Sequence, residues 1–237
     1  MSGNLTADPP LIVEVDALRY AFAEVGAGRP LPVAEVEAAA EALTLEPRAY
    51  DRKVLLQAIP EGPEDYLPVH AVNVASLAAA LATSLEMDDA AVRLVALSAL
   101  LHDIGMSRLP AETLLREGGL EAEERIRLKE HPAVGARVII AAEAGLELPA
   151  VVAFEHHLRL DGSGYPSVEP RRAPHRVSRM IQLCDIWHAL RSERPYRAAW
   201  PPDIVLSFLS ERAGFEFDAE LTAAFTKLIR QHTVPIL

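Results

Sequence analysis

Apolar residues in this 237-residue chain recur at intervals of three and four, as in Val92, Val95, Ala96, Ala99 and Leu100, the period of a helix with one face turned inward. Alanine is abundant and aromatic residues make up only 5%, a balance that suits close-packed helices better than a sheet of β-branched and aromatic side chains. The expected class is all-α. Half the residues are apolar, enough for a sizeable core, and the length lies near the upper end for a single one. Helices are expected at about 11–25, 33–44, 65–85, 88–102, 121–129, 132–144, 149–157, 175–192, 203–213 and 218–231. Gly105 reads as the stop of the fourth, Pro132 suits a first helical turn, Gly145 ends its helix, and Asp161-Gly162-Ser163-Gly164 must be a loop. The segment Pro60-Glu61-Gly62-Pro63 reads as a boundary between a short N-terminal helical extension, 1–64, and a main domain, 65–237.

Charge and cysteine content narrow the function classes. A net charge of -11 argues against general binding to a nucleic-acid polymer, which needs a positive field to release counterions. The stretch from Arg159 to Arg197 runs the other way, with eight arginines against four acids. It is either a solvated arginine face or a patch that draws an anionic substrate inward. The single cysteine, Cys184, excludes an intrachain disulfide and reads as a packed thiol rather than a ligand. Residues 1–10 show no basic segment followed by an apolar run, and the apolar stretches are broken by Arg93 or by Glu143 and Glu147. A cytoplasmic protein without a membrane segment is expected.

Against this background seven residues carry chemistry: His70, the adjacent His102 and Asp103, His131, the pair His156 and His157, and Asp185. Imidazole nitrogens and carboxylate oxygens suit divalent first-row metals, and seven such groups exceed what one ion takes from protein. Two neighbouring ions are the natural reading. His102 and Asp103 fall at the end of one predicted helix, His156 and His157 at the end of another, and His131 just before a third, while His70 and Asp185 lie inside helices. Facing helices can each deliver one or two groups to a shared centre. His175, His188 and His232 remain outside the set.

The segments Tyr66 to Asn73 (YLPVHAVN), Leu100 to Gly105 (LLHDIG), Glu130 onward (EHPAVGARVI), His156 to Pro166 (HHLRLDGSGYP) and Arg194 to Arg197 (RPYR) resemble the HD-GYP subgroup of the HD phosphohydrolase superfamily over about residues 65–225. That resemblance implies an all-helical HD-domain bundle hydrolysing a cyclic dinucleotide, cyclic di-GMP above all, with divalent iron or manganese. It also implies a place in bacterial signal transduction, with diguanylate cyclases among the conceivable protein partners. Carried over by position, it implies that His70, His102 and Asp185 hold one ion and that His131, His156 and His157 hold the other. Asp103 would bridge them, and a hydroxide shared by the two ions would attack phosphorus, so His102 and Asp103 stand at the catalytic centre. Tyr165 would lie near the base or shape the pocket mouth, and Arg194, Arg197 and Arg159 would bind phosphate. For Gly162, Gly164 and Pro166 turn chemistry alone is a sufficient reading.

Departures from the family pattern are as specific as the matches. The lysine usual three residues after the HD aspartate is Met106, a thioether that cannot hold phosphate. The glutamate usual four residues before the first histidine is Tyr66, the one usual after the His-His pair is Leu158, and the second aspartate usual three residues after the metal-binding one is His188. His188 reads as a helix-face residue before it reads as an extra ligand. Three functions stay open: a working phosphodiesterase, a module that binds metal or nucleotide without turnover and serves signalling, and another HD-type hydrolase or diiron oxygenase on the same scaffold.

Overall fold

In the computed structural model, the described residues are 11–45, 65–109, 121–169, 172–193 and 197–232. They form α1 (Ile12–Gly26), α2 (Val33–Thr44), α3 (Tyr66–Ser84), α4 (Asp89–Leu101), a 3₁₀ turn (Ile104–Arg108), α5 (Ala122–Leu128), α6 (His131–Ala142), α7 (Glu147–Glu155), α8 (Arg176–Arg191), α9 (Pro202–Glu211) and α10 (Ala219–His232). No β-strand occurs among the described residues, only isolated bridges, so the all-α expectation holds.

Helix α3 is the axis of the bundle. Its run Pro68 to Ala82 is buried without interruption, and it packs against α1, α2, α4, α8 and α10. A helix that is apolar on every side has no solvent face to keep, and its many alanines let neighbouring backbones come close. The same feature corrects one sequence expectation: Tyr66–Ser84 holds no acid, lysine or arginine, so charge does not break every apolar stretch. Tyr66–Ser84, and α4 taken together with the 3₁₀ turn as Asp89–Arg108, are long and apolar enough to cross a membrane, and 83% and 67% of their most apolar windows lie buried inside the fold, as in a core.

Local chemistry fixes the helix ends around the site. The Asp88 carboxylate accepts from the Ala91 amide at 2.8 Å and starts α4, Glu121 and Glu124 form a reciprocal capping box on α5, and Pro132 sits in the first turn of α6. Gly105 departs from its expected role as a helix stop. It continues into the 3₁₀ turn, where a β-carbon would lie 2.1 Å from the His131 carbonyl oxygen and 2.6 Å from the Gly135 amide nitrogen. The residue is glycine because the backbone of α6 crosses there, which sets His131 beside Asp103.

Helices α1 and α2 share the hydrophobic core with the rest of the chain, α1 against α3 and the 3₁₀ turn and α2 against α4. A β-carbon on Gly26, the last residue of α1, would lie 3.0 Å from the Ser107 carbonyl oxygen. The segment Pro60 to Pro63 lies outside the described residues.

Candidate metal centre

The seven side chains singled out in the sequence converge. Ligand atoms of Asp103, His131, His156 and His157 lie within 4.8 Å of one another, as do those of His70, His102 and Asp185. Asp103 stands between the groups. Its Oδ1 lies 3.1 Å from His131 Nε2 and 3.5 Å from His156 Nε2, while its Oδ2 lies 3.5 Å from His102 Nε2 and 3.8 Å from His70 Nε2. His70 Nε2 is also 3.1 Å from Asp185 Oδ1. One carboxylate thus turns an oxygen toward each group. It does so because His102 caps α4 and Asp103, one residue on, has left the helix at φ -103° and ψ 10°, so the two side chains diverge.

Three of the imidazoles are aimed by backbone. His102 Nδ1 lies 2.6 Å from the Ala99 carbonyl oxygen, His131 Nδ1 2.7 Å from that of Leu128, and His156 Nδ1 2.9 Å from that of Ala153. A carbonyl only accepts, so each Nδ1 carries the proton and each Nε2 presents a lone pair. Those lone pairs face one another and carboxylate oxygens: His131 Nε2 and His156 Nε2 are 3.2 Å apart, and His102 Nε2 and Asp103 Oδ1 are buried without a hydrogen-bond partner. Acceptors held against acceptors repel in a medium of low polarity, and a cation among them removes the repulsion. This donor set fits divalent metal.

The electrostatics agree. Burial, with the neighbouring imidazoles His156 and His70, pushes the His102 imidazole down to about 4, and His157 is lowered for the same first reason, so both rings stay neutral and able to ligate. Burial works to raise the Asp103 carboxyl, but the imidazoles around it, His102 first and then His131 and His156, outweigh it and hold the group well below the usual range. Asp185 is lowered against burial by His70 first. His131 goes up, because Asp103 overcomes the burial that would depress it.

The loop after His157 folds back on the centre. Asp161 Oδ1 accepts from the Ser163 amide at 2.8 Å, and Gly164 has φ +94°, with space for a β-carbon closed by the His157 carbonyl oxygen at 2.1 Å. Only glycine passes there. The Tyr165 ring is delivered onto His157, with centroids 4.5 Å apart, and sits edge-on to His131 at 6.1 Å. Burial raises its phenol above the usual value, so it offers a neutral O–H.

The basic residues are placed differently. Arg197 donates to the Ala189 and Leu190 carbonyls at 2.7 and 3.2 Å, closing the C-terminal end of α8, and Arg159 pairs with Glu216 at 3.1 Å. Arg194 lies outside the described residues. Lys129, which the sequence reading passed over, is exposed with its Nζ 5.8 Å from the centre of the Tyr165 ring. Its position two residues before His131 is the signal that was there to read.

One further group was missed. Glu155 is fully buried and accepts from the His175 amide at 2.7 Å and Ser178 Oγ at 3.0 Å while pairing with Arg172 at 2.6 Å, so it ties the end of α7 to the start of α8. An acid inside the apolar run before His156 was its sequence signal. His188 does lie on a face of α8, and that face is turned inward, where the ring is buried against His70. Cys184 packs in the core, and burial, then Asp185, pushes its thiol up, which matches a protonated packed thiol. Tyr66, in the family's glutamate position, stacks on His70 with centroids 5.6 Å apart.

Residues 38–221 match the family model described as HD domain. The chain is 34% identical over 174 residues to a cyclic di-GMP phosphodiesterase of Pseudomonas aeruginosa, covering 73% of this chain and 42% of that protein. It is 32% identical over 156 residues to the cyclic di-GMP phosphodiesterase response regulator RpfG of Xanthomonas campestris, covering 65% of this chain and 41% of that one. It is also 32% identical over 171 residues to 3'3'-cGAMP-specific phosphodiesterase 3 of Vibrio cholerae, covering 72% and 37%. The chain therefore spans about two-fifths of the length of these relatives. Among solved structures, an HDG"Y"P protein from Bdellovibrio bacteriovorus superposes with a TM-score of 0.70 at 17% identity over 96% of this chain and 75% of that one, a likeness of fold. With the ligand order, the Gly-Tyr-Pro loop and these matches together, the chain belongs to the HD domain family, in its HD-GYP group.

Proposed function

We propose that the protein is a metal-dependent phosphodiesterase that hydrolyses a cyclic dinucleotide, with cyclic di-GMP the expected substrate and 3'3'-cGAMP the nearest rival. The observation that carries this reading is the Asp103 carboxylate with one oxygen toward each ligand group. Two divalent ions so held, iron or manganese, would supply Lewis acidity to a phosphodiester and to the water that attacks it. His70, His102 and Asp185 would hold one, and His131, His156 and His157 the other.

The remaining steps belong to the chain. Tyr165 covers His157 and limits the mouth, and its protonated phenol can donate to a bound phosphate or base. Lys129, exposed beside that ring, would bring a positive charge to an anionic substrate. The relatives' names point to cyclic dinucleotides, and a cytoplasmic site of action suits such a substrate.

The test is direct. Manganese- or iron-loaded protein is incubated with cyclic di-GMP and, separately, with 3'3'-cGAMP, and the linear dinucleotide is sought. Turnover that disappears in His102→Ala and Asp103→Ala supports the enzyme. A second reading, a module that binds metal and nucleotide without turnover, is favoured by one set of observations: Met106 replaces the family lysine, and Arg159 and Arg197 are engaged with protein groups. Tight binding without product would establish it.

A further inference from the structure

The His70 ring is aimed by side chains rather than by a backbone carbonyl. His70 Nδ1 meets His188 Nδ1 at 2.7 Å, and on the far side of that ring His188 Nε2 lies 3.0 Å from the Asn73 side-chain amide. All three residues are buried, at 2%, 4% and 2% exposure for His70, His188 and Asn73. Ser192 Oγ is 3.4 Å from His188 Nδ1 and donates to the His188 carbonyl at 2.7 Å, so the His70 ring is the nearer partner of that nitrogen. The geometry pairs two helices: His70 and Asn73 are three apart on α3, and Asp185 and His188 three apart on α8, so Asp185 meets one side of the His70 ring and His188 the other.

Two ring nitrogens 2.7 Å apart share a single proton, so the three residues choose their protonation as one unit. If His188 donates from Nδ1, the His70 proton sits on Nε2, the atom that faces Asp185 and Asp103, and that atom is closed to a cation. In the opposite order His70 Nδ1–H donates to His188 Nδ1, and His188 Nε2–H donates to the Asn73 side-chain oxygen. That order requires only that the amide turn its oxygen to the ring, and the two ends of an amide have nearly the same shape.

We propose that His188 and Asn73 are positioning residues that fix the tautomer and aim of His70, and through it the metal half-site of His70, His102 and Asp185. The inference rests on the metal-centre reading above. An imidazole stands here where the family commonly has a carboxylate, and without a negative charge it polarises the His70 N–H less strongly.

The experiment uses the full chain, ¹⁵N-labelled and loaded with zinc, with ring nitrogens read by long-range ¹H–¹⁵N NMR and affinity by competition against a chelating dye. His70 is expected to carry its proton on Nδ1 and to bind zinc through Nε2. His188→Leu should weaken one of two zinc ions by about 10- to 100-fold and spare the other, and His188→Asp should restore it. A proton on His70 Nε2 in the zinc-loaded wild type overturns the proposal. So does a folded His188→Leu variant with unchanged affinity and tautomer, and either result leaves the metal centre standing. A wild type that binds no zinc overturns both. Because the tautomer is read in the wild type, the outcome does not depend on any variant folding.

Discussion

Replacing Gly105 with alanine should loosen the metal centre without touching a ligand. The new β-carbon would lie 2.1 Å from the His131 carbonyl oxygen and 2.6 Å from the Gly135 nitrogen, both backbone atoms that no side-chain rotation can move. Ordinary contact begins near 3.4 Å, so α6 and the 3₁₀ turn must part by roughly 1.3 Å along that line. Overpacking against side chains costs typically 1–3 kcal/mol. Against backbone on both sides the upper end applies, about 3 kcal/mol, or roughly 6–12 °C in Tm for a domain of this size. The movement separates His131 from Asp103, now 3.1 Å apart, and should also lower metal content on that side of the carboxylate. Scanning calorimetry of chelated protein gives the first number, and elemental analysis after reloading gives the second. Gly145→Ala is the control: its φ of +95° with nothing within 4 Å of the added carbon carries only the left-handed backbone cost of about 1–2 kcal/mol, with metal content unchanged. A Gly105→Ala protein that melts within about 2 °C of wild type and keeps its metal would show that the crossing is not close-packed as described.

Three further outcomes are expected. In metal-free protein, an unfolded His102 titrates near 6.5 and the folded one about 4, so between these values only the unfolded chain takes the proton; stability should fall by up to about 3 kcal/mol as pH drops from 6.5 to 4. His157 acts in the same direction, and a melting series in which His102→Leu keeps the full slope would refute the assignment. Glu155→Gln removes the charge that ties α7 to α8, so a loss of about 1–3 kcal/mol is expected together with weaker metal retention, read by calorimetry and elemental analysis. Met106→Lys should raise cyclic dinucleotide hydrolysis by about tenfold, or ~1.4 kcal/mol, if the absent cation limits the rate; an unchanged rate would mean that another cation, with Lys129 nearest at hand, already serves.

What the sequence made legible is the part that depends on period and residue type. The three-and-four recurrence gave the helices, and the ligand chemistry of His70, His102, Asp103, His131, His156, His157 and Asp185 gave a centre that the fold assembles. Features that depend on what lies opposite could not be read along the chain. Gly105 looked like a helix stop because the crossing α6 backbone is remote in sequence. The carbonyls at the end of α8 that Arg197 meets, and the Glu216 carboxylate that Arg159 meets, are invisible to a local pattern that reads both arginines only as phosphate ligands. His188 read as a helix-face residue with no partner assigned, because that partner sits 118 positions away.

The carbonyl tethers on His102, His131 and His156 carry a consequence for how such a centre diversifies. Each of those rings takes its bearing from the turn of main chain just before it, so substitution of the surrounding side chains leaves its direction intact. His70 takes its bearing from side chains instead. Drift in the lining can therefore retune one corner of the centre, its electron richness and preference among ions, while the imidazoles of His102, His131 and His156 stay where the peptide backbone anchors them.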